Sequence, residues 1–480
     1  MVLFFPLEID NYLYFYLDIF LIMHYYYPYN LKNMENGYFK RNIDTVLADW
    51  SEEKGRKPLM LRGARQVGKT AAVRTFGGRF KHYVEINFDT DTEVSYFFKQ
   101  NLEPAEICRR LSLYVRTPIV PGETLLFFDE IQSCTEAMRT LRYFYEKYHW
   151  QHIIAAGSLL EFALEEIPTF GVGRIHSEFL YPFSFYEFLG ALGEDVLADA
   201  CRNAAPDKPL PVPVHKQLVD RFKIFLLTGG MPESVASYVQ TREFLGGQKV
   251  FEDIITTFRD DFSKYRKKMP EFVLDEVFES VMRQAQGKFV YERVMPETGN
   301  ARIKHSLDLL IMAGLAFPVT HTAANGIPLG AEINPKYRRI IPCDTGIFLH
   351  ILGIDKSEIL LADDFNTVNQ GALAEIFAGL ELLKNGRNHA QRQLYCWNRE
   401  KAQSSAQIDY LIQRGSTIIP IEVKSGVQGG MKSLNIFMKE KNIKYGIRTS
   451  LENFAQKESF DIYPLYAISN LYLNRQEGIC

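Results

Sequence analysis

Leu59-Met60-Leu61-Arg62-Gly63-Ala64-Arg65-Gln66-Val67-Gly68-Lys69-Thr70 is the stretch on which the fold turns. A short apolar run leads into a loop framed by two glycines, and Ala71 to Thr75 continues it as a helix-like segment. A loop in that setting turns its backbone N–H groups toward phosphate, and the helix N-terminus adds positive potential. Lys69 is placed for the β and γ phosphates and the Thr70 hydroxyl for Mg²⁺. Gly63, Ala64, Arg65, Gln66, Val67, Gly68, Lys69 and Thr70 are therefore the expected ATP-binding loop.

A nucleotide site needs a second, acidic half at the tip of an apolar strand. Thr124-Leu-Leu-Phe-Phe-Asp129-Glu130 supplies it. Asp129 suits the Mg²⁺ shell, and Glu130 is placed to polarise an attacking water, which favours hydrolysis over kinase chemistry. After one more apolar run, His152 to Ala156, the chain reaches Gly157-Ser158. The Ser158 hydroxyl could sense the γ phosphate, or could serve only as a turn or N-cap residue. Arg174, in Gly171-Val-Gly-Arg174, is a candidate charge-stabilising arginine, with a solvated surface arginine as the alternative.

Around this pair the chain alternates short apolar runs with helix-like stretches: Leu59 to Leu61, His82 to Phe88, Thr124 to Phe128, His152 to Ala156 and Ser177 to Phe185. That rhythm predicts an α/β fold with a mainly parallel sheet wrapped by helices. Four prolines between Pro206 and Pro213 mark a boundary. Helical patterns follow from Val214 to Tyr265, then Phe272 to Gln284 and Ile303 to Leu315, the last leading into a strand pair with a winged-helix look.

Composition bounds the rest. A 480-residue chain at the usual ~150 residues per domain implies about three domains, and 46% hydrophobic with 24% charged residues is ordinary globular content. A formal charge of -3 excludes a surface that coats nucleic acid as a whole. The cysteines at 108, 134, 201, 343, 396 and 480 make no metal-like spacing, which fits a reducing cytoplasm. Residues 1–33 hold 11 aromatics and no basic residue before Lys32, so they read as a start-site extension ahead of Met34. Their apolar run is too short to span a bilayer, which leaves a peripheral anchor as the minority reading.

Near the other end, Gln407-Ile-Asp409-Tyr-Leu-Ile and Thr417-Ile-Ile-Pro-Ile-Glu422-Val-Lys424 read as a hairpin. Side chains two apart share a face, so Glu422 and Lys424 project together with Asp409 nearby. Two converging carboxylates, Asp409 and Glu422, suit a Mg²⁺ ion, and an ammonium beside them suits a water or a phosphate. Glu375, on the small apolar side of a helix over Gly371 to Lys384, points to a site rather than to bulk water. A plain salt bridge is the alternative for the set. Between Lys384 and Ser450, twelve Lys or Arg stand against four acidic residues, the footprint of a nucleic-acid contact or of a basic solvated face.

These motifs, with Phe-Phe-Asp-Glu-Ile-Gln, Ala-Gly-Ser, Leu-Tyr-Pro-Phe-Ser-Phe-Tyr-Glu-Phe-Leu, Gly229-Gly-Met-Pro-Glu233 and Ile-Glu-Val-Lys-Ser-Gly, resemble one family. It is the large prokaryotic family of AAA-type P-loop ATPases with a C-terminal domain of unknown function that has a restriction-endonuclease-like core of the PD-(D/E)xK type. The resemblance runs from about Met34 to the C-terminus. It implies ATP at Gly63 to Thr70, Mg²⁺ through Thr70 and Asp129, catalysis by Glu130, and a nuclease-like site at Glu375, Asp409, Glu422 and Lys424. Gln407 departs from it, standing where relatives often have an acid.

The expected organisation is a start-site extension over 1–33 and a P-loop ATPase domain over 34–205. A helical and winged-helix-like region over 214–365 and a restriction-endonuclease-like α/β domain over 366–480 complete it. The expected function is a cytoplasmic ATPase coupled to a nuclease-like domain that meets nucleic acid, with self-association open and no membrane contact. The alternative is a nucleotide-dependent switch whose nuclease-like fold binds a protein partner without cleavage.

Overall fold

The computed structural model of the chain describes residues 34–35, 37–100, 102–157, 173–243, 246–263, 269–285, 287–355, 359–360, 370–385, 393–399, 406–426 and 430–473. The extension over 1–33 and Ser158 lie outside them. A two-stranded hairpin, β1 (Met34–Glu35) and β2 (Tyr38–Phe39), leads into a helix over Asn42–Glu52.

The first sheet holds β3 (Leu59–Arg62), β4 (His82–Asn87), β5 (Thr124–Asp129), β6 (His152–Ala156) and β7 (His176–Phe179), in the order β4-β5-β6-β3-β7 and parallel throughout. Both faces are covered, which is why β5 can be a continuous apolar run. Alternation divides its side chains: Leu126 and Phe128 pack with Phe98, Ile107 and Leu141 in one cluster. Leu125 and Phe127 join a second cluster that extends from Phe39 to Leu471. The strand expected over Ser177 to Phe185 ends at Phe179. Ser184 caps the next helix, accepting from Glu187 N while the Glu187 carboxylate takes the Ser184 amide, so Phe185 begins a helix.

The continuous helix pattern after Val214 resolves into helices Val212–Thr228, Pro232–Thr241 and Gly246–Phe262, with Pro213 tolerated in the first turn. Helices Glu271–Arg283 and Asn300–Met312 follow close to expectation.

The strand pair after them is different. β8 (Ala316–Thr322) and β9 (Ile333–Pro342) form no separate wing; they are the edge of an eight-stranded mixed sheet. Its other members are β10 (Leu394–Asn398), β11 (Gln407–Arg414), β12 (Thr417–Val423), β13 (Gly446–Ser450), β14 (Ala455–Gln456) and β15 (Phe460–Pro464). The order is β14-β15-β13-β12-β11-β10-β8-β9, so the sheet crosses the boundary expected at 365/366. The physical reason is pairing: β8 lies parallel to β10, with Val319 opposite Leu394, a partner 75 residues away that no local pattern announces. Helix Gln370–Lys384 lies on this sheet so closely that a Cβ on Gly379 would sit 2.4 Å from Tyr410 Oη.

Candidate functional site: a P-loop tied to a second carboxylate cluster

β3 delivers the loop to the end of the sheet where the strands finish. Gly63, at φ 134°, leaves room for the Leu180 carbonyl, which an added Cβ would meet at 2.1 Å. Gln66 and Gly68 also take positive φ, so the loop curls back over itself before helix Lys69–Gly77 begins. The Lys69 ammonium is buried and donates to the carbonyls of Gly63 (2.9 Å) and Ala64 (2.8 Å). Burial lowers it to about 8, against the pull of Glu130 and Asp129.

Thr70 Oγ1 donates to Asp129 Oδ2 at 3.0 Å, which brings together the two groups expected to share a magnesium ion. Burial raises the Asp129 carboxyl, opposed by that hydroxyl. Glu130 stands at φ 46°, a left-handed reversal that lifts it off the strand tip, where its carboxylate accepts from Gln132 Nε2 at 2.6 Å. A non-glycine residue in that region costs about 1–2 kcal/mol and marks a site where backbone direction matters. The donor set fits a nucleotide with Mg²⁺: an anion-directed loop, an ammonium, and a hydroxyl beside a carboxylate.

Sequence reading missed the residues that hold the loop in place. Arg41, 4% exposed, donates to the Glu187 carboxylate (3.0 Å), the Tyr181 carbonyl (2.8 Å) and the Val67 carbonyl (3.3 Å), and lies over the Phe183 ring. On the other side Arg65 pairs with Asp261, and Gln66 Nε2 reaches Thr257 Oγ1 at 3.3 Å. The loop is thus clasped by the N-terminal segment and by helix Gly246–Phe262. The Ser184-Phe-Tyr-Glu187 spacing is a capping-box signal that could have pointed to Glu187, but a strand was expected through it.

From Glu187 a buried polar chain continues. Phe185 N donates to Glu381 Oε1 (3.1 Å), Lys384 Nζ donates to the Phe183 carbonyl (2.8 Å), and Phe183 N donates to the Gly230 carbonyl (2.6 Å). Gly230 N in turn donates to Asp344 Oδ2 (2.6 Å), whose other oxygen caps helix Thr345–Ile351. Burial raises Glu381 to about 7 and lowers Lys384.

Arg174 lies elsewhere. β7 runs parallel to β3 with His176 opposite Leu59 and Phe179 opposite Arg62, so Arg174 sits where the strands begin, at the opposite end from the loop. Its Nε meets Glu146 at 2.5 Å.

In the C-terminal sheet the register pairs Tyr410 with Ile421, which sets Asp409 and Glu422 side by side at the open end of the hairpin. Lys424 Nζ donates to Glu422 Oε1 at 2.6 Å, and Val423 N to Asp409 Oδ2 at 2.8 Å. Glu375 comes to the same place, as the family resemblance implies, but it meets a cation that sequence reading missed. Arg339 of β9, 1% exposed, pairs with Glu375, approaches Asp409 Oδ1 at 3.8 Å and donates to the Asp409 carbonyl at 2.8 Å. Burial and mutual repulsion raise Glu375 and Glu422, and burial raises Asp409. Burial alone would lower Arg339, yet Tyr410 and the carboxylates hold it above its ordinary value. Among the described residues no three His, Cys, Asp or Glu are arranged to hold a metal.

Of the twelve basic residues between Lys384 and Ser450, Arg387, Arg392 and Lys401 lie outside the described residues. Lys384, Arg399, Lys424 and Arg448 face the protein's own Glu381, Glu440, Glu422 and Glu452. Among the described residues no helix is long and apolar enough to cross a membrane.

Comparison with known proteins agrees with the loop geometry. Residues 55–189 match the AAA domain family, so this part of the chain is an AAA-type P-loop ATPase domain. Residues 219–358 and 370–468 match two domains of unknown function, DUF8612 and DUF4143. No curated protein matches the chain. The Walker-type ATPase PABY2304 of Pyrococcus abyssi is similar at 16% identity and TM-score 0.42, over 67% of this chain and 97% of that one. The Aeropyrum pernix ORC1 protein in complex with DNA is similar at 13% identity and TM-score 0.27, over 70% and 95%. Drosophila ORC bound to DNA follows at 14% identity and TM-score 0.23, over 65% and 85%. At such scores none of the three carries weight beside the family match.

Proposed function

We propose that this chain hydrolyses ATP at Lys69, Thr70, Asp129 and Glu130, and that turnover shifts a nuclease-like C-terminal domain which holds a protein partner without cutting. Glu130 takes the role of orienting and polarising water. Lys69 binds the β and γ phosphates, with the Gly63 to Thr70 loop around them. Mg²⁺, held by Thr70 and Asp129, would neutralise charge on the phosphate oxygens. The observation that carries the coupling is the buried chain of hydrogen bonds from Val67 of the loop through Arg41, Glu187, Ser184 and Phe185 to Glu381. A nucleotide that moves the loop therefore strains the helix bearing Glu375.

A second reading, metal-dependent cleavage of DNA or RNA, is favoured by the convergence of Glu375, Asp409, Glu422 and Lys424. Two measurements decide. Glu130→Gln is expected to keep ATP bound while slowing turnover on the order of a hundredfold or more, and Lys69→Ala to abolish it; unchanged turnover in Glu130→Gln would sink the ATPase assignment. DNA and RNA incubated with Mg²⁺ or Mn²⁺, with and without ATP, are expected to stay intact. Cleavage that Asp409→Ala removes would replace the holding reading with the nuclease one.

A further inference from the structure

Nothing in nucleotide turnover explains a fully buried arginine in the C-terminal cluster. Arg339 stands in β9 beside Ile340 and Ile341, with its guanidinium 4.9 Å from the centre of the Tyr410 ring. Its Nη1 faces both Glu375 and Asp409, and its Nη2 donates to the Asp409 carbonyl. Mg²⁺ demands near-octahedral oxygen ligands at about 2.0–2.1 Å and carboxylates free to turn toward it. Here each candidate is already committed: Glu375 to Arg339, Asp409 Oδ2 to the Val423 amide, Glu422 Oε1 to Lys424. Among the described atoms of this cluster, Glu422 Oε2 and Arg339 Nε are buried without a hydrogen-bond partner.

We propose that Arg339 is the resident cation of this cluster: its guanidinium takes the place of a divalent ion between Glu375 and Asp409, so the site binds no Mg²⁺ or Mn²⁺. A covalently attached, permanently charged fork cannot dissociate, and it offers no coordinated water to activate. The carboxylates then serve to seat Arg339 and lock helix Gln370–Lys384 onto β9 and β11. The functional meaning rests on the holding reading above; the metal count does not.

The test is Mn²⁺ binding to the full chain without nucleotide, counted by electron paramagnetic resonance in the wild type and in Asp409→Asn, which keeps an acceptor for Val423. The two are expected to bind the same number of ions. Arg339→Leu should gain one Mn²⁺ per chain, and Arg339→Leu with Asp409→Asn should lose it again. A wild-type ion that Asp409→Asn removes overturns the proposal, as does a folded Arg339→Leu protein with no added ion. Should Arg339→Leu fail to fold, the comparison of wild type with Asp409→Asn still decides. A chain that binds Mn²⁺ through Asp409 yet cuts nothing overturns this proposal and leaves the holding reading standing. Cleavage without such an ion does the reverse.

Discussion

The Lys69 ammonium is enclosed by the carbonyls of its own loop, and burial brings it down to about 8. Nucleotide phosphates would favour the charged form, so binding raises this group again. Above pH 8 the free protein carries a deprotonated fraction, and ATP binding must then take up a proton. Affinity is therefore expected to fall as pH rises beyond about 8, approaching tenfold per pH unit. Calorimetry in buffers of different ionisation enthalpy checks this: at pH 8.5 the wild type should show net proton uptake and Lys69→Ala none. At the same scale, motif spacing exposed Lys69, Thr70, Asp129 and Glu130. Arg41 and Arg339 stayed hidden because an arginine's burial depends on carboxylates 146 and 36 residues away.

Helix Gln370–Lys384 is the element that meets both sites. Glu375 lies at the carboxylate cluster, and Glu381 and Lys384 lie at the junction with the ATPase domain. Glu381 is fully buried and raised to about 7 by burial, against Lys384 and the Phe185 amide. Its folded pKa lies above its unfolded one, so its contribution to stability is complete below about pH 4.5 and lost as pH rises through 7. Glu381→Gln, which cannot ionise, should flatten the decline between pH 5 and pH 8 by up to roughly 3 kcal/mol. Denaturant midpoints at the two pH values measure it. Equal slopes for wild type and variant would place the dependence elsewhere.

At the scale of the molecule, one hydrophobic core joins the P-loop sheet, the middle helices and the C-terminal sheet. Phe222 packs on Phe377 with ring centres 4.7 Å apart, Phe185 packs on Tyr466, and Tyr186 Oη reaches Asn470. A chain cut after residue 365 would expose each such ring at about 2 kcal/mol and leave β8 without β10. It is expected to aggregate or to lose its cooperative thermal transition; a soluble, sharply melting fragment would show that the units fold separately. The position of Arg174 makes a different demand. It cannot reach its own loop from the far end of the sheet, so any role in turnover belongs to a neighbouring copy. Specific activity should then rise with protein concentration, and Arg174→Ala should remove the rise while sparing ATP binding. Constant activity across concentrations argues for a surface arginine.

Short-range chemistry encodes the glycines and Lys69 of a phosphate loop, the apolar run ending in Asp129 and Glu130, and the β11–β12 hairpin that aligns Asp409 with Glu422. Each depends on residues a few positions apart or on a backbone conformation that few side chains allow. Long-range packing, in contrast, sets β8 and β9 into the C-terminal sheet, closes Arg41 and Asp261 on the loop, and brings Arg339 into the carboxylate cluster. Those choices follow from strand pairing and from the need of every buried charge for a partner. The partner is found wherever folding brings it, at no fixed distance along the chain.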